Sequence, residues 1–117
     1  MLLQLLLELG RDDEARALLG EYEGDPTSEW AYTAALLAYR EGGDSPAANK
    51  ALQRALKVNR HIPPYLVAKK RIPPALPDLV TLGGPDEAAT YAGTYLNHWR
   101  RTPGAAEWLR RRAGIAP

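Results

Sequence analysis

Residues 32–59 read YTAALLAYREGGDSPAANKALQRALKVN, and this stretch decides the fold. In its first half Tyr32, Ala35, Leu36 and Tyr39 follow one another at steps of 3, 1 and 3. In its second half Ala48, Leu52, Ala55 and Leu56 follow at steps of 4, 3 and 1. Such spacing puts each set on one stripe of an α-helix, whereas a half-buried strand would alternate every second residue. Gly42-Gly43 and Asp44-Ser45-Pro46 lie between the halves. Glycine ends a helix at little steric cost, and a capping side chain just before a proline opens the next one. The stretch therefore predicts two helices joined by a short turn.

The pattern extends outward. Ala15, Leu18, Leu19 and Tyr22 repeat the 3, 1, 3 spacing, and breaks fall at Gly10, Gly24-Asp25-Pro26, Pro63-Pro64, Pro73-Pro74, Gly83-Gly84-Pro85 and Thr102-Pro103-Gly104. Asp25 before Pro26 has the form of a helix cap. Helices are expected at about 1–9, 12–23, 27–42, 46–59, 86–101 and 103–113. The proline-rich connector 60–85, with a short helix near 64–69, is expected to be ordered by Ile62, Tyr65, Leu66, Ile72, Leu76, Leu79 and Val80. The fold class is all-α, since phenylalanine is absent, β-branched residues are few, and no segment alternates as a strand does.

The chain also repeats itself. Shifted by 33, Leu6 falls on Tyr39, Gly10 on Gly43, Ala15 on Ala48 and Leu19 on Leu52. Shifted by 57, Leu36 falls on Gly93, Tyr39 on Leu96, Pro46 on Pro103, Ala48 on Ala105 and Leu52 on Leu109. The helices thus form pairs at about 1–23, 27–59 and 86–113, with an insertion at about 60–85. Tyr32, Ala35-Leu36, Tyr39, Gly43, Ala48, Leu52 and Ala55 resemble the tetratricopeptide repeat family, departing at Leu36 and Arg60, where that family prefers glycine and proline. Gly93 restores the small residue in the last pair. This resemblance implies a helical array whose first helices line a concave, peptide-binding groove. A second resemblance covers residues 55–109, through Asn59-Arg60-His61-Ile62-Pro63-Pro64-Tyr65-Leu66, Pro73-Pro74, Gly84-Pro85-Asp86-Glu87-Ala88, Tyr91, His98-Trp99-Arg100 and Pro103-Gly104-Ala105. These are similar to the C-terminal region of the suppression-of-tumorigenicity-7 family and of bacterial proteins like it. That likeness implies helical repeats and a protein-interaction role, with no catalytic residues to carry over. The first repeat starts mid-helix, so it is either a cap or part of a longer repeat protein.

Composition narrows the chemistry. The 117 residues suit one domain, with 45% hydrophobic residues, 25% charged residues and a net charge of +1. Zero cysteines exclude disulfides, thiolate catalysis and sulfur-ligated metals. Only His61 and His98 remain for acid–base or metal work, and neither has a ligand-spaced companion, so no metal or cofactor is expected. Met1–Leu9, MLLQLLLEL, lacks the basic flank and cleavage site of a signal peptide and is too short to span a membrane. The expectation is a cytoplasmic, non-enzymatic protein without membrane contact. Charge is split, with ten acidic and three basic residues in 1–44 against four acidic and twelve basic in 45–117.

Mapping the repeat gives groove candidates Gln4, Glu8, Thr33, Leu37, Arg40, Glu41, Thr94, Asn97 and His98 for a protein or peptide partner. His98-Trp99-Arg100 reads either as a binding spot or as a core tryptophan with a solvated edge. His61 reads as a side chain fixing its turn. The cations of 50–71 and Arg110-Arg111-Arg112 suit an acidic partner such as an acidic peptide or RNA, a solvated helix face, or the acidic end of a second copy. Leu3, Leu6 and Leu7, on a helix apolar nearly all round, suit a homodimer interface.

Overall fold

The computed structural model describes residues 2–21, 27–67 and 83–115. These residues form seven helices and no strand. They are α1 (Leu2–Glu8), α2 (Asp12–Glu21), α3 (Ser28–Gly42), α4 (Pro46–Val58), α5 (Ile62–Leu66), α6 (Pro85–Arg101) and α7 (Ala105–Ala113). The expected cap at Asp25-Pro26, the basic run Lys69-Lys70-Arg71 and the apolar residues Ile72, Leu76, Leu79 and Val80 lie outside the described residues.

Local chemistry accounts for the boundaries. Helix α3 begins after Thr27, whose side chain accepts a hydrogen bond from the Trp30 N–H at 3.3 Å. It ends where Gly43, at φ 66°, donates its N–H to the Tyr39 carbonyl. Ser45 caps α4 by accepting from the Ala48 N–H, and Pro46 takes the first turn, where no N–H donor is needed. Asp12, Asp13 and Glu14 occupy the first turn of α2, the positive end of the helix dipole. The connector's short helix comes earlier than expected, at Ile62–Leu66, because Pro63 and Pro64 sit in its first turn.

Helix α1 packs on α2, α2 on α3, and α3 along α4. Helix α5 lies against both α6 and α7, so this part of the presumed insertion belongs to the body of the fold. Helix α6 packs on α3 and also on α1, which brings the first pair against the last. The radius of gyration is 13.1 Å, near the ~13 Å of a compact domain this size. The faces expected to line a concave groove are thereby pressed together. Thr33 and Leu37 of α3 are buried, and Thr33 Oγ1 lies 3.4 Å from the Tyr91 hydroxyl of α6.

The repeat alanines Ala15, Ala48 and Ala105 are each 0% exposed. Small side chains there let the paired helices approach closely. The last pair is less regular, because Gly93 is exposed and α6 buries Tyr91, Tyr95 and Trp99 instead. In the absence of phenylalanine the core relies on tyrosine and tryptophan. Their polar ends are satisfied: Trp99 Nε1 donates to the Tyr91 hydroxyl at 3.0 Å, Trp108 Nε1 to Asn49 Oδ1 at 2.8 Å, and Tyr95 to Glu29 Oε2 at 2.7 Å. Leu3, Leu6 and Leu7 are buried within the chain itself, on the face that α1 turns to its neighbours, so they present no surface to a second copy. Leu5 of α1 and Leu9 just after it are exposed.

Candidate functional site

Three polar arrangements stand out against this core. The first centres on Glu87 in the first turn of α6, 7% exposed. Its carboxylate accepts from the Ser28 N–H at 3.1 Å, the Ser28 hydroxyl, the Gly83 N–H at 2.9 Å and Asn59 Nδ2 at 3.1 Å. Asn59 is buried as well. Its Nδ2 also donates to the Gly84 carbonyl at 2.9 Å, its Oδ1 accepts from the His61 N–H at 2.8 Å, and its own carbonyl accepts from the Tyr32 hydroxyl. One carboxylate thus ties the starts of α3 and α6 to the end of α4. Burial pushes its pKa up, but the donors on Ser28, Gly83 and Asn59 outweigh burial and hold it below the usual carboxylate range. Burial holds the Tyr32 hydroxyl far above the usual phenol range. The sequence reading missed this hub. Its signal is an acid three residues after Gly84, where a side chain can reach back over the helix start. Asn59, rather than the His61 ring, fixes the turn at 59–61.

The second arrangement is Arg40, near the end of α3. Its Nη1 contacts both oxygens of Asp12 at 3.0 and 3.2 Å, its Nε donates to Thr102 Oγ1 at 2.8 Å, and its Nη2 donates to the His98 carbonyl at 3.3 Å. A planar fork with every edge occupied joins α2, α3 and α6. An open cleft of about 500 Å³ lies beside it, bordered by Gly10, Tyr39, Arg101 and Pro103. His98 is buried, and burial, Arg40 and Arg101 pull its pKa down against opposing pulls from Glu8 and Asp12. Trp99 is wholly buried, and Arg100 alone of the His98-Trp99-Arg100 trio is exposed.

The third arrangement is a basic face. Lys50, Arg54 and Lys57 project from the exposed side of α4, with Arg60 just beyond it. Arg111 and Arg112 are exposed on α7, which packs against α4. Asp44 lies 3.8 Å from Arg111 and 3.4 Å from Arg112. The Asn49 amide, opposed by slight burial and aided by both arginines, holds the Asp44 carboxyl below its usual range. None of Lys50, Arg54, Lys57 or Arg60 is ion-paired to a described residue, though Arg54 covers the Trp30 ring at 4.8 Å.

The other groove candidates are scattered. Thr94 spends its hydroxyl on the Thr90 carbonyl at 3.2 Å, and Asn97 is exposed. Gln4 bonds Glu8 at 3.3 Å along α1. Glu41 is exposed and pairs with Arg16 at 3.4 Å across a shallow groove between α2 and α3. Arg40, His98, Thr33 and Leu37 are brought together, but as interior packing. Among the described residues no cluster of acidic or histidine side chains could hold a metal ion, and no helix is long and apolar enough to cross a membrane.

Comparison with known proteins places this arrangement in context. Residues 1–112 match the family model described as ST7 protein, extending the local likeness at 55–109 over nearly the whole chain. The chain is 34% identical over 126 aligned residues to Suppressor of tumorigenicity 7 protein of Macaca fascicularis, covering 92% of this chain and 23% of that one. It is 33% identical to Suppressor of tumorigenicity 7 protein-like of Rattus norvegicus, covering 92% and 22%. It is 32% identical to Protein ST7 homolog of Drosophila melanogaster, covering 92% and 23%. These relatives are animal rather than bacterial proteins, and the chain spans less than a quarter of their length. No solved structure matches.

Proposed function

The chain belongs to the ST7 protein family, and from that premise we propose that it is a non-enzymatic protein–protein interaction module working through its outer helical faces, foremost the basic face of α4 and α7. The observation that carries this reading is the exposed run Lys50, Arg54 and Lys57, ion-paired to no described residue, on a helix whose opposite side is core. Exposed charges of one sign on a helix suit recognition of a complementary surface. A tetratricopeptide-like ancestry for the three helix pairs belongs to the same reading, supported by the buried alanines at equivalent positions. The peptide groove expected of an open array is left out of it, because Thr33, Leu37 and His98 of its lining are buried while Glu41 and Asn97 are exposed on different helices.

The test is site-specific photo-crosslinking in nuclease-treated lysate, with the crosslinker at exposed Gln53 of α4 or, for comparison, at exposed Asn97 of α6. Protein adducts at Gln53 that vanish in Lys50→Glu/Arg54→Glu/Lys57→Glu support the module. Adducts indifferent to those charges, or formed equally at Asn97, sink it.

A further inference from the structure

We propose that the groove between α4 and α7 is a docking site for an acidic segment of a protein partner, one that sets carboxylates on either side of a small apolar side chain. This rests on the protein-interaction reading above and assigns its partner a chemistry.

The groove has a volume of about 440 Å³. Lys50 and Gln53 line it from α4, Arg112 from α7, and Leu56 and Pro46 supply apolar surface. One cation from each helix thus stands beside this apolar surface. The surrounding face carries Lys50, Arg54, Lys57, Arg60, Arg111 and Arg112, with Asp44 beside the two arginines, while Glu107 of α7 is held by Arg110. Lys50 and Lys57 are seven residues apart on one helix, about 10 Å along its axis. A partner with acids two turns apart on a helix can meet both.

Three other occupants fit less well. Single-stranded RNA is held by cations interleaved with exposed aromatic rings. Helix α4 has no aromatic residue, Trp108 of α7 is buried, and the Trp30 ring is already covered by Arg54. A lipid surface takes basic helices that also insert bulky apolar side chains. Among the described residues the exposed large apolar side chains are Leu5, on α1, and Leu9, just after it, both away from this groove's lining. A second copy would have to offer the acids of α2, of which Asp12, Asp13 and Glu14 are engaged by Arg40, Arg16 and Arg11, leaving Glu21 as the one in no described ion pair.

The experiment is fluorescence anisotropy at low salt with the full chain and four probes: a peptide of glutamates and leucines, its glutamine counterpart, poly-uridine, and phosphatidylserine vesicles. The glutamate peptide should bind saturably and the glutamine peptide should not. Lys50→Glu/Arg112→Glu should weaken binding about tenfold, since two exposed charge contacts become repulsions. The neutral pair Lys50→Gln/Arg112→Gln should weaken it less, and Arg100→Glu on α6 should leave it within about twofold, all with unchanged circular dichroism. No binding of the glutamate peptide overturns the proposal, as does equal binding by the double variant or a preference for poly-uridine or vesicles. A dimer of the chain that Lys50→Glu/Arg112→Glu dissolves would hand the groove to a second copy. Charge-dependent adducts at Gln53 without glutamate-peptide binding would defeat this inference while leaving the interaction module standing. Failure of both would remove both.

Discussion

Gly104 stands so close to Tyr39 that a β-carbon on it would come within 2.5 Å of the tyrosine hydroxyl. Its φ of 82° is itself a conformation that side chains disfavour. The approach lets the Tyr39 ring stack on Trp108 at 4.7 Å between centroids, joining the end of α3 to α7. Gly104→Ala should cost about 2–4 kcal/mol by urea denaturation, combining backbone strain with a steric clash. In a Tyr39→Phe background the same change should cost about 1–2 kcal/mol, the backbone share alone. Equal costs in the two backgrounds would show that the clash relaxes freely.

Glu87→Gln keeps the shape of the hub but turns an amide donor toward groups that already donate. A loss of about 2–4 kcal/mol is expected, because buried donors lose their acceptor. The pH dependence has a fixed sign. The folded pKa is depressed, so the unfolded chain binds the proton more readily. The stabilisation is therefore complete above the ordinary carboxylate pKa of about 4.3 and is lost as pH falls through the lower folded value. Stability measured against pH in the acid range should rise less steeply in Glu87→Gln than in the parent; parallel curves would refute the assignment.

Arg40→Ala should destabilise by about 2–3 kcal/mol and speed amide exchange in α2, since it ties α3 to α2 and to the end of α6. Arg40→Lys should recover less than half, because an ammonium cannot reach three directions at once. Crosslinking at Gln53 should be unaffected. A change in crosslinking with no change in stability would return Arg40 to the role of a partner contact.

Leu6→Ala should cost about 2–4 kcal/mol as a core truncation. Leu5→Glu and Leu9→Glu should stay within about 0.5 kcal/mol in thermal unfolding. Light scattering should give the same mass for all three. If Leu6→Ala instead halved the mass at unchanged helicity, the leucine face would be an interface after all.

The helices were legible because their signals are local. Ser45-Pro46, Gly43 and the Ala48/Leu52/Ala55 stripe each act within a turn or two. The packing of α1 on α6 was not legible, because periodicity states which face is buried and not against what. The stripe through Thr33 and Leu37 looks the same whether it lines a groove or meets Tyr91. Read as an open array, it put Arg40 and His98 at a ligand. In the closed array the same side chains hold helices together. The hub escaped notice for a related reason: Ser28, Asn59 and Glu87 are distant in sequence, and only the fold makes them neighbours.

The meeting of α1 with α6 also bears on how such a domain can evolve. An open solenoid gains or loses a unit at either end and leaves the remainder intact, since each unit leans only on those beside it. Here α1 leans on α6, so loss of either helix would leave the face of the other that it covers bare. The contact spans most of the chain, which ties folding to a slow, all-or-none closure.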